Sequence, residues 1–268
     1  MYEVREKERI GLAFEQAGFD AQVRHVFSTR ARDGGGNLSL SGGRDRAAAL
    51  AERHFWSERI GADPADWVVG SQVHRAGVRV VGDAERGRGA LDPATTLPET
   101  DGLVTSVRGL PLYVAVADCA AVMVLAPGDR PVLGVAHAGW RGLQAGVLAR
   151  VVAETCALAG AAPGGCVAGV SPCIGLAHFE VGEEVLAAAP ERRRVRLGAR
   201  WHVDLAGWAN DQLLGAGLVQ GRVEFSGLDT FERADLCFSH RRDGASAGRM
   251  GLIAMLAPAP EAASPPRA

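Results

Sequence analysis

Lysine is almost missing from this chain: of 29 basic residues one, Lys7, is lysine and 28 are arginine. Any anion clamp must then be built from guanidinium groups or backbone N–H groups. A charge excess is missing too, since 31 acidic residues offset the 29 basic ones and the formal net charge is -2. Without a clustered basic surplus, no nucleic-acid partner is expected. The five cysteines, at 119, 156, 166, 173 and 237, form no C-x-x-C pair and are odd in number, which argues against a disulfide framework and for a reducing compartment. Long apolar runs are lacking as well: the most apolar stretch, Leu110 to Ala126, is interrupted by Asp118 and Cys119, and the first ten residues hold no apolar core. Neither a membrane span nor a secretory leader is expected, and the expectation is a cytoplasmic protein. No internal repeat is found, and nothing in the sequence fixes an oligomeric state.

What is present is an alternation of short apolar strands and helices over 268 residues, enough for one large core. HVFSTR (25–30) reads as a strand feeding a glycine-rich loop, and Asp45 to Ile60 as a helix. WVVGSQVH and AGVRVV read as strands, and Ala84 to Thr100 as irregular. LPLYVAVAD, AAVMVLA and PVLGVAH are three strands with PGDR as the turn between the last two. A helix from Leu143 carries Leu143, Val147, Leu148, Val151, Val152 and Leu158 on one stripe. CVAGVSP, a helix over Gly182 to Ala189, the short strand WHVDL and a helix over Ala206 to Ala216 follow. Gly221 to Phe225 and Leu252 to Leu256 close the chain. Strands and helices interleave without strict βαβ periodicity, which predicts a mixed sheet in a single α/β domain over 1–257, with 258–268 as a disordered tail.

AHAGWRGL (136–143) stands where a strand stops and a helix begins. Such a turn aims backbone N–H groups and the helix dipole at one spot, and Arg141 adds a full charge. The same residues also read as a plain tight turn with a packed Trp140 and a buried His137. If Ala126 faces Pro131 across PGDR, Cys119 and His137 reach the same end of the hairpin but point to opposite faces; a bulge would align them. His74 ends SQVH in the same manner. One thiolate and two imidazoles are a zinc donor set that leaves a fourth position open. Yet the spacings of 45 and 18 residues match no compact metal motif, and a buried cysteine serves equally as a small hydrophobe.

HVFSTR, SQVH, ADC, HAGWRG, SPCIG followed by HFEV, and FSHRRDG followed by GRM resemble, in order and spacing, the YfiH-like laccase-domain family. The resemblance implies a four-layer α/β/β/α sandwich, similar to a class of cysteine hydrolases. It implies a metal site at His74, Cys119 and His137, usually zinc and sometimes copper. It also implies phosphorolysis of adenosine, inosine and methylthioadenosine, with adenosine deaminase activity beside it. Asp229-Thr230 stands where members often carry Cys-Thr, and the loop ARDGGGNLSL is rearranged.

A blue-copper oxidase needs an electron-transfer centre and a further histidine cluster, which seven histidines, none separated by a single residue, do not supply. The cytidine-deaminase signature requires P-C-x-x-C, but Leu176 follows Pro172-Cys173-Ile174-Gly175. For a phosphate clamp the candidates are Arg30, Arg141, Arg241 and Arg242, with the Gly139–Gly142 N–H groups. Asp118 is a candidate to orient an imidazole, to shuttle a proton or to cap a turn, and Gln72 and Asn37 to read purine edges. Two other classes stay open: a cysteine hydrolase with Cys119 as nucleophile and His137 as base, and a non-catalytic protein that kept the fold. Small-molecule partners, purine nucleosides and phosphate, are expected, with no nucleic acid and no membrane.

Overall fold

The structure is a computed structural model describing residues 1–6, 9–16, 19–31 and 34–258. The expected tail lies outside these residues from position 259 onward. In chain order the elements begin with β1 (Tyr2–Glu6), β2 (Arg9–Ala13), α1 (Phe19–Gln22), β3 (Val23–Ser28), α2 (Arg46–Ile60), β4 (Val68–Val69), β5 (Val78–Val80) and β6 (Gly102–Thr105). There follow β7 (Leu112–Val116), β8 (Ala120–Ala126), β9 (Val132–Ala138), α3 (Trp140–Gln144), α4 (Val147–Ala159), β10 (Val167–Val170) and α5 (Glu183–Ala188). Last come β11 (Arg194–Leu197), β12 (Arg200–Val203), α6 (Leu205–Gly215), β13 (Val223–Phe225), α7 (His240–Asp243) and β14 (Met250–Leu256).

Two six-stranded mixed sheets result, ordered β1-β2-β3-β14-β7-β4 and β13-β10-β8-β9-β6-β5, with β11 and β12 as a separate hairpin. Strand alternation sorts the side chains into layers. On β8, Ala121, Met123 and Leu125 face the first sheet together with Phe27, Leu112 and Leu252. Ala120, Val122 and Val124 face α4 and α6 through Val147, Val151 and Leu213. On the far side of the first sheet, Val26, Tyr113 and Ile253 pack against Trp56 and Ile60 of α2. The protein is thus the expected four-layer α/β/β/α sandwich in one domain. Each fully buried Leu, Val or Phe contributes roughly 1.5–3 kcal/mol to it.

The helix α2 is delimited by local chemistry. Asp45 caps it by accepting from Ala48 N, and Gly61, left-handed at φ 69°, ends it. The helix expected from Leu143 instead starts at Trp140 and is cut in two at Gly146, whose φ is 82°. Leu158, placed on its buried stripe from the sequence, is 41% exposed. WVVGSQVH is a strand only at Val68–Val69, because the backbone turns left-handed at Gln72 (φ 47°) and His74 (φ 60°). The short strand read at WHVDL is β12 (Arg200–Val203), whereas its partner β11 and the N-terminal pair β1–β2 carry no signal that the sequence reading used. The hairpin register also differs from the expected one: Ala126 faces Val132 and Ala121 faces His137. Cys119, two residues before Ala121, therefore shares a face with His137, and no bulge is needed.

Candidate functional site

The shared face brings Cys119 and His137 to the edge of the inter-sheet layer, and the loop after β4 adds His74. Their ligand atoms, two imidazole nitrogens and one sulfur, all lie within 4.8 Å of one another. The two imidazoles meet edge to face at 4.6 Å. Gly139, the N-cap of α3, closes the cluster from below: a Cβ there would sit 2.8 Å from Cys119 Sγ and 3.4 Å from His74 Cδ2. The first glycine of HAGWRG is thereby explained by close approach to the donors.

Asp101, which the sequence reading missed, organises this centre. Its Oδ1 lies 2.9 Å from His137 Nδ1 and accepts from His74 N, while Oδ2 accepts from Val73 N and Arg75 N. One carboxylate thus holds the strained left-handed turn at His74 and fixes the ring of His137, leaving Nε2 as the nitrogen free to meet the cluster. Burial pushes the Asp101 carboxyl up, but the bonds from His137, Arg75 and His74 outweigh it and hold it below the usual range. The only sequence signal was an acid directly before an apolar strand.

Burial also pushes the Cys119 thiol up. The charge of His137 and hydrogen bonds from His137 and His74 reverse this and bring it down to about 6. For His137, burial acts downward, but Cys119 and Asp101 raise it to about 9. Without metal the two form a thiolate–imidazolium pair across the window from about 6 to about 9. Alkylation of Cys119 in metal-stripped protein should accordingly rise with pH to a plateau with an apparent pKa of about 6. Cys166 and Cys237, pushed up to about 12 by burial, should stay silent. A rate by iodoacetamide that titrates at about 8.5 would remove the pairing.

The cluster forms part of the wall of a cavity of about 700 Å³, a size typical for a small-molecule ligand. Three of the four described non-glycine residues with positive φ, namely Gln72, His74 and Asp118, line it, and such strain collects at functional sites. Asp118 lies beside Cys119 with both carboxylate oxygens engaged, by Thr230 Oγ1 at 2.6 Å and by Arg241 N at 2.7 Å. Gln72 lines the wall while its amide bonds both backbone groups of Ala115. Arg141 and Arg241 line the cavity and are exposed. Arg141 stacks on Trp140 at 4.1 Å and pairs with Glu184. Arg241 donates to the carbonyls of His178 and Glu180.

Arg30, Asn37 and Arg242 stand off the cavity wall. Arg30 lies over the Phe238 ring. Asn37 bonds Ser39 and Arg249 N, and Arg242 donates to the carbonyls of Thr230, Phe231 and Cys237. Asp229-Thr230, the departure from the family pattern, has structural partners: Asp229 holds His178 Nδ1 at 2.6 Å, and Thr230 donates to Asp118.

The donor chemistry suits a borderline-soft divalent metal: one sulfur of lowered pKa and two imidazoles, one of them oriented by a carboxylate. Among the described residues this is the one group of three or more such donors, and no described helix is long and apolar enough to cross a membrane.

Against known proteins, the chain is 32% identical over 222 residues to purine nucleoside phosphorylase YlmD of Geobacillus stearothermophilus, covering 80% of this chain and 81% of that protein. It is 36% identical over 224 residues to purine nucleoside phosphorylase ORF3 of Streptomyces griseus, covering 81% and 87%. The crystal structure of YlmD from Geobacillus stearothermophilus superposes with a TM-score of 0.86 at 28% identity, over 96% of this chain and 99% of that one. The sequence profile described as multi-copper polyphenol oxidoreductase laccase matches residues 24–257. Spanning the second sheet, most of the first and all three donors, that match shows that the chain belongs to the multi-copper polyphenol oxidoreductase laccase family.

Proposed function

We propose that the chain is a zinc-dependent purine nucleoside phosphorylase acting on adenosine, inosine and methylthioadenosine, with adenosine deaminase activity at the same centre. The observation that carries this reading is the convergence of His74, Cys119 and His137 within 4.8 Å on the wall of a nucleoside-sized cavity. The similarity to proteins named purine nucleoside phosphorylase supports it. Three protein donors leave one coordination position for substrate or water. Bound there, zinc supplies Lewis acidity; copper suits the same donors. A polyphenol oxidase would need a further copper centre, for which the described residues offer no second donor cluster.

The chain's own groups do the positioning. Phosphorolysis replaces the glycosidic C–N bond by a C–O bond to phosphate, so base, ribose and anion must be held together with water shut out. Apolar wall residues such as Val69, Ile174 and Phe179 exclude water, and Trp140 offers a flat face to a purine. Arg141 and Arg241, exposed on the wall, draw in an anionic co-substrate. Asp101 keeps the His137 ring in place, and Asp118, tied to Thr230 and Arg241 N, fixes the turn that presents Cys119.

A second reading, a cysteine hydrolase, is favoured by one observation, the Cys119 thiol at about 6 beside His137. One experiment separates the two. A nucleoside panel is assayed with and without phosphate, and metal content is measured on the same protein. Free base and ribose 1-phosphate formed only with phosphate and stoichiometric metal are expected, with ammonia released from adenosine. Phosphate-independent turnover of an ester or amide by metal-free protein would replace this reading by the hydrolase.

A further inference from the structure

The GRM motif near the C-terminus takes no part in the reading above, yet its Arg249 lines the same cavity, together with Arg53 and Tyr113. Arg53, on α2, is 3% exposed and has no carboxylate partner among the described residues. Its Nε donates to Leu38 O and its Nη1 to the carbonyls of Gly89 and Ala90. Arg249 Nη1 donates to the carbonyls of Ala247 and Gly248. Among the described residues, Arg53 Nη2 and Arg249 Nε and Nη2 have no protein acceptor in hydrogen-bonding geometry.

Leu38 ties the two arginines to one place, since its N–H donates to Arg249 O while its carbonyl takes Arg53 Nε. Between them stands Tyr113, 2% exposed, with the Arg53 guanidinium 5.0 Å from its ring centroid. Its ring is wedged over Gly251, where a Cβ would come within 2.2 Å of it. The hydroxyl is sealed from solvent and lies within reach of the Arg53 guanidinium without an aligned hydrogen bond. Arg44 adds a third positive charge, its guanidinium sharing the Ala247 carbonyl with Arg249. The acidic groups that Arg249 feels are, in order, Cys119, Tyr113 and Asp118; the oxygens of Asp118 are already engaged.

A buried arginine without a carboxylate partner, beside a half-buried one and a third positive charge, is costly unless something negative completes the group. Forked guanidinium N–H groups are donors that fit the oxygens of a tetrahedral anion. We infer that Arg53 and Arg249, with Tyr113 packed beside Arg53, form a phosphate-binding subsite in the cavity that holds His74, Cys119 and His137. Tyr113 and Cys119 are six residues apart along β7 and its continuation, at most about 20 Å if fully extended. The inference rests on the phosphorolysis reading only for the identity of the co-substrate; phosphate chemistry reaches this place either as inorganic phosphate or as the 5′-phosphate of a nucleotide.

The test titrates zinc-loaded protein calorimetrically with inorganic phosphate, and separately with adenosine 5′-monophosphate, without turnover. The variants are Arg249→Gln, Arg249→Lys and Tyr113→Phe, each checked for zinc content and melting temperature. Phosphate binding should weaken by about tenfold or more in Arg249→Gln, less in Arg249→Lys and least in Tyr113→Phe, with KM for phosphate following in an adenosine assay. If only the monophosphate binds, and loses affinity in Arg249→Gln, the subsite stands and the phosphorolysis reading falls. If phosphate binds to wild type and all three folded variants within about twofold of one another, the subsite is overturned while phosphorolysis survives. If neither anion binds the wild type, the subsite is overturned as well.

Discussion

Cys119→Ala is expected to lose its metal and its activity together. The thiolate is the one anionic donor of the three, and without it two imidazoles must hold a dication in a half-buried site. The loss of metal affinity should exceed the roughly 10–100-fold that follows removal of a supporting residue around a metal. The fold should survive, because Cys119 is packed only at the edge of the inter-sheet layer and a truncation to Ala there removes a single sulfur. The checks are elemental analysis, melting temperature and kcat/KM on one preparation, with His74→Ala beside it. Both variants should be metal-poor and inactive. Activity lost with metal fully retained would instead make Cys119 a nucleophile.

The second large effect belongs to Asp101. In Asp101→Asn an NH2 group comes to face the N–H groups of Val73 and Arg75 or the His137 ring, all donors in the native site. Buried donors left unpaired cost about 1–3 kcal/mol each, so the apo protein should lose about 2–4 kcal/mol. Metal affinity should fall roughly 10–100-fold as His137 and His74 lose their orientation. The pH dependence has a definite sign. Burial opposes the ionised Asp101, but its hydrogen bonds outweigh that and lower its folded pKa. Its stabilisation is therefore complete above the unfolded carboxyl pKa and is lost as pH falls through the folded value. His137, raised to about 9, contributes below its unfolded pKa and loses that contribution as pH rises through about 9. Urea melts of metal-free wild type and Asp101→Asn should thus differ most near neutral pH and converge in acid. A difference that stays constant down to about pH 2 would show that Asp101 is not ionised in the native state.

Much of the fold was legible because it is local. The caps at Asp45 and Gly61, the apolar runs of β7 to β9 and the buried stripe of Val147, Leu148, Val151 and Val152 follow from periodicity and from turn chemistry in adjacent residues. The errors arose where non-local contacts override local pattern. SQVH has strand composition, but four bonds from Asp101 to the ring of His137 and the N–H groups of Val73, His74 and Arg75 bend the chain at His74. The β8–β9 register is one step from the one read across PGDR, and with period-two side chains that step decides whether Cys119 and His137 share a face.

By itself the sequence determined the chemical stock of this protein. It supplied one cysteine and two histidines at strand ends, arginine as its cationic side chain almost throughout, and too few histidines for a second copper centre. Residue type is a property of single positions. Only the tertiary structure decided how that stock is used: that the turn before β8, the end of β9 and the loop after β4 converge on one point, and that Asp101 rather than Asp118 holds the imidazole. It also decided that Arg30 lies over the Phe238 ring and that Asn37 and Arg242 support the backbone, while Arg53, Arg249 and Tyr113 line the cavity. Those assignments depend on separations of a few ångströms between residues distant in the chain, which sheet register and layer packing set and no local pattern encodes.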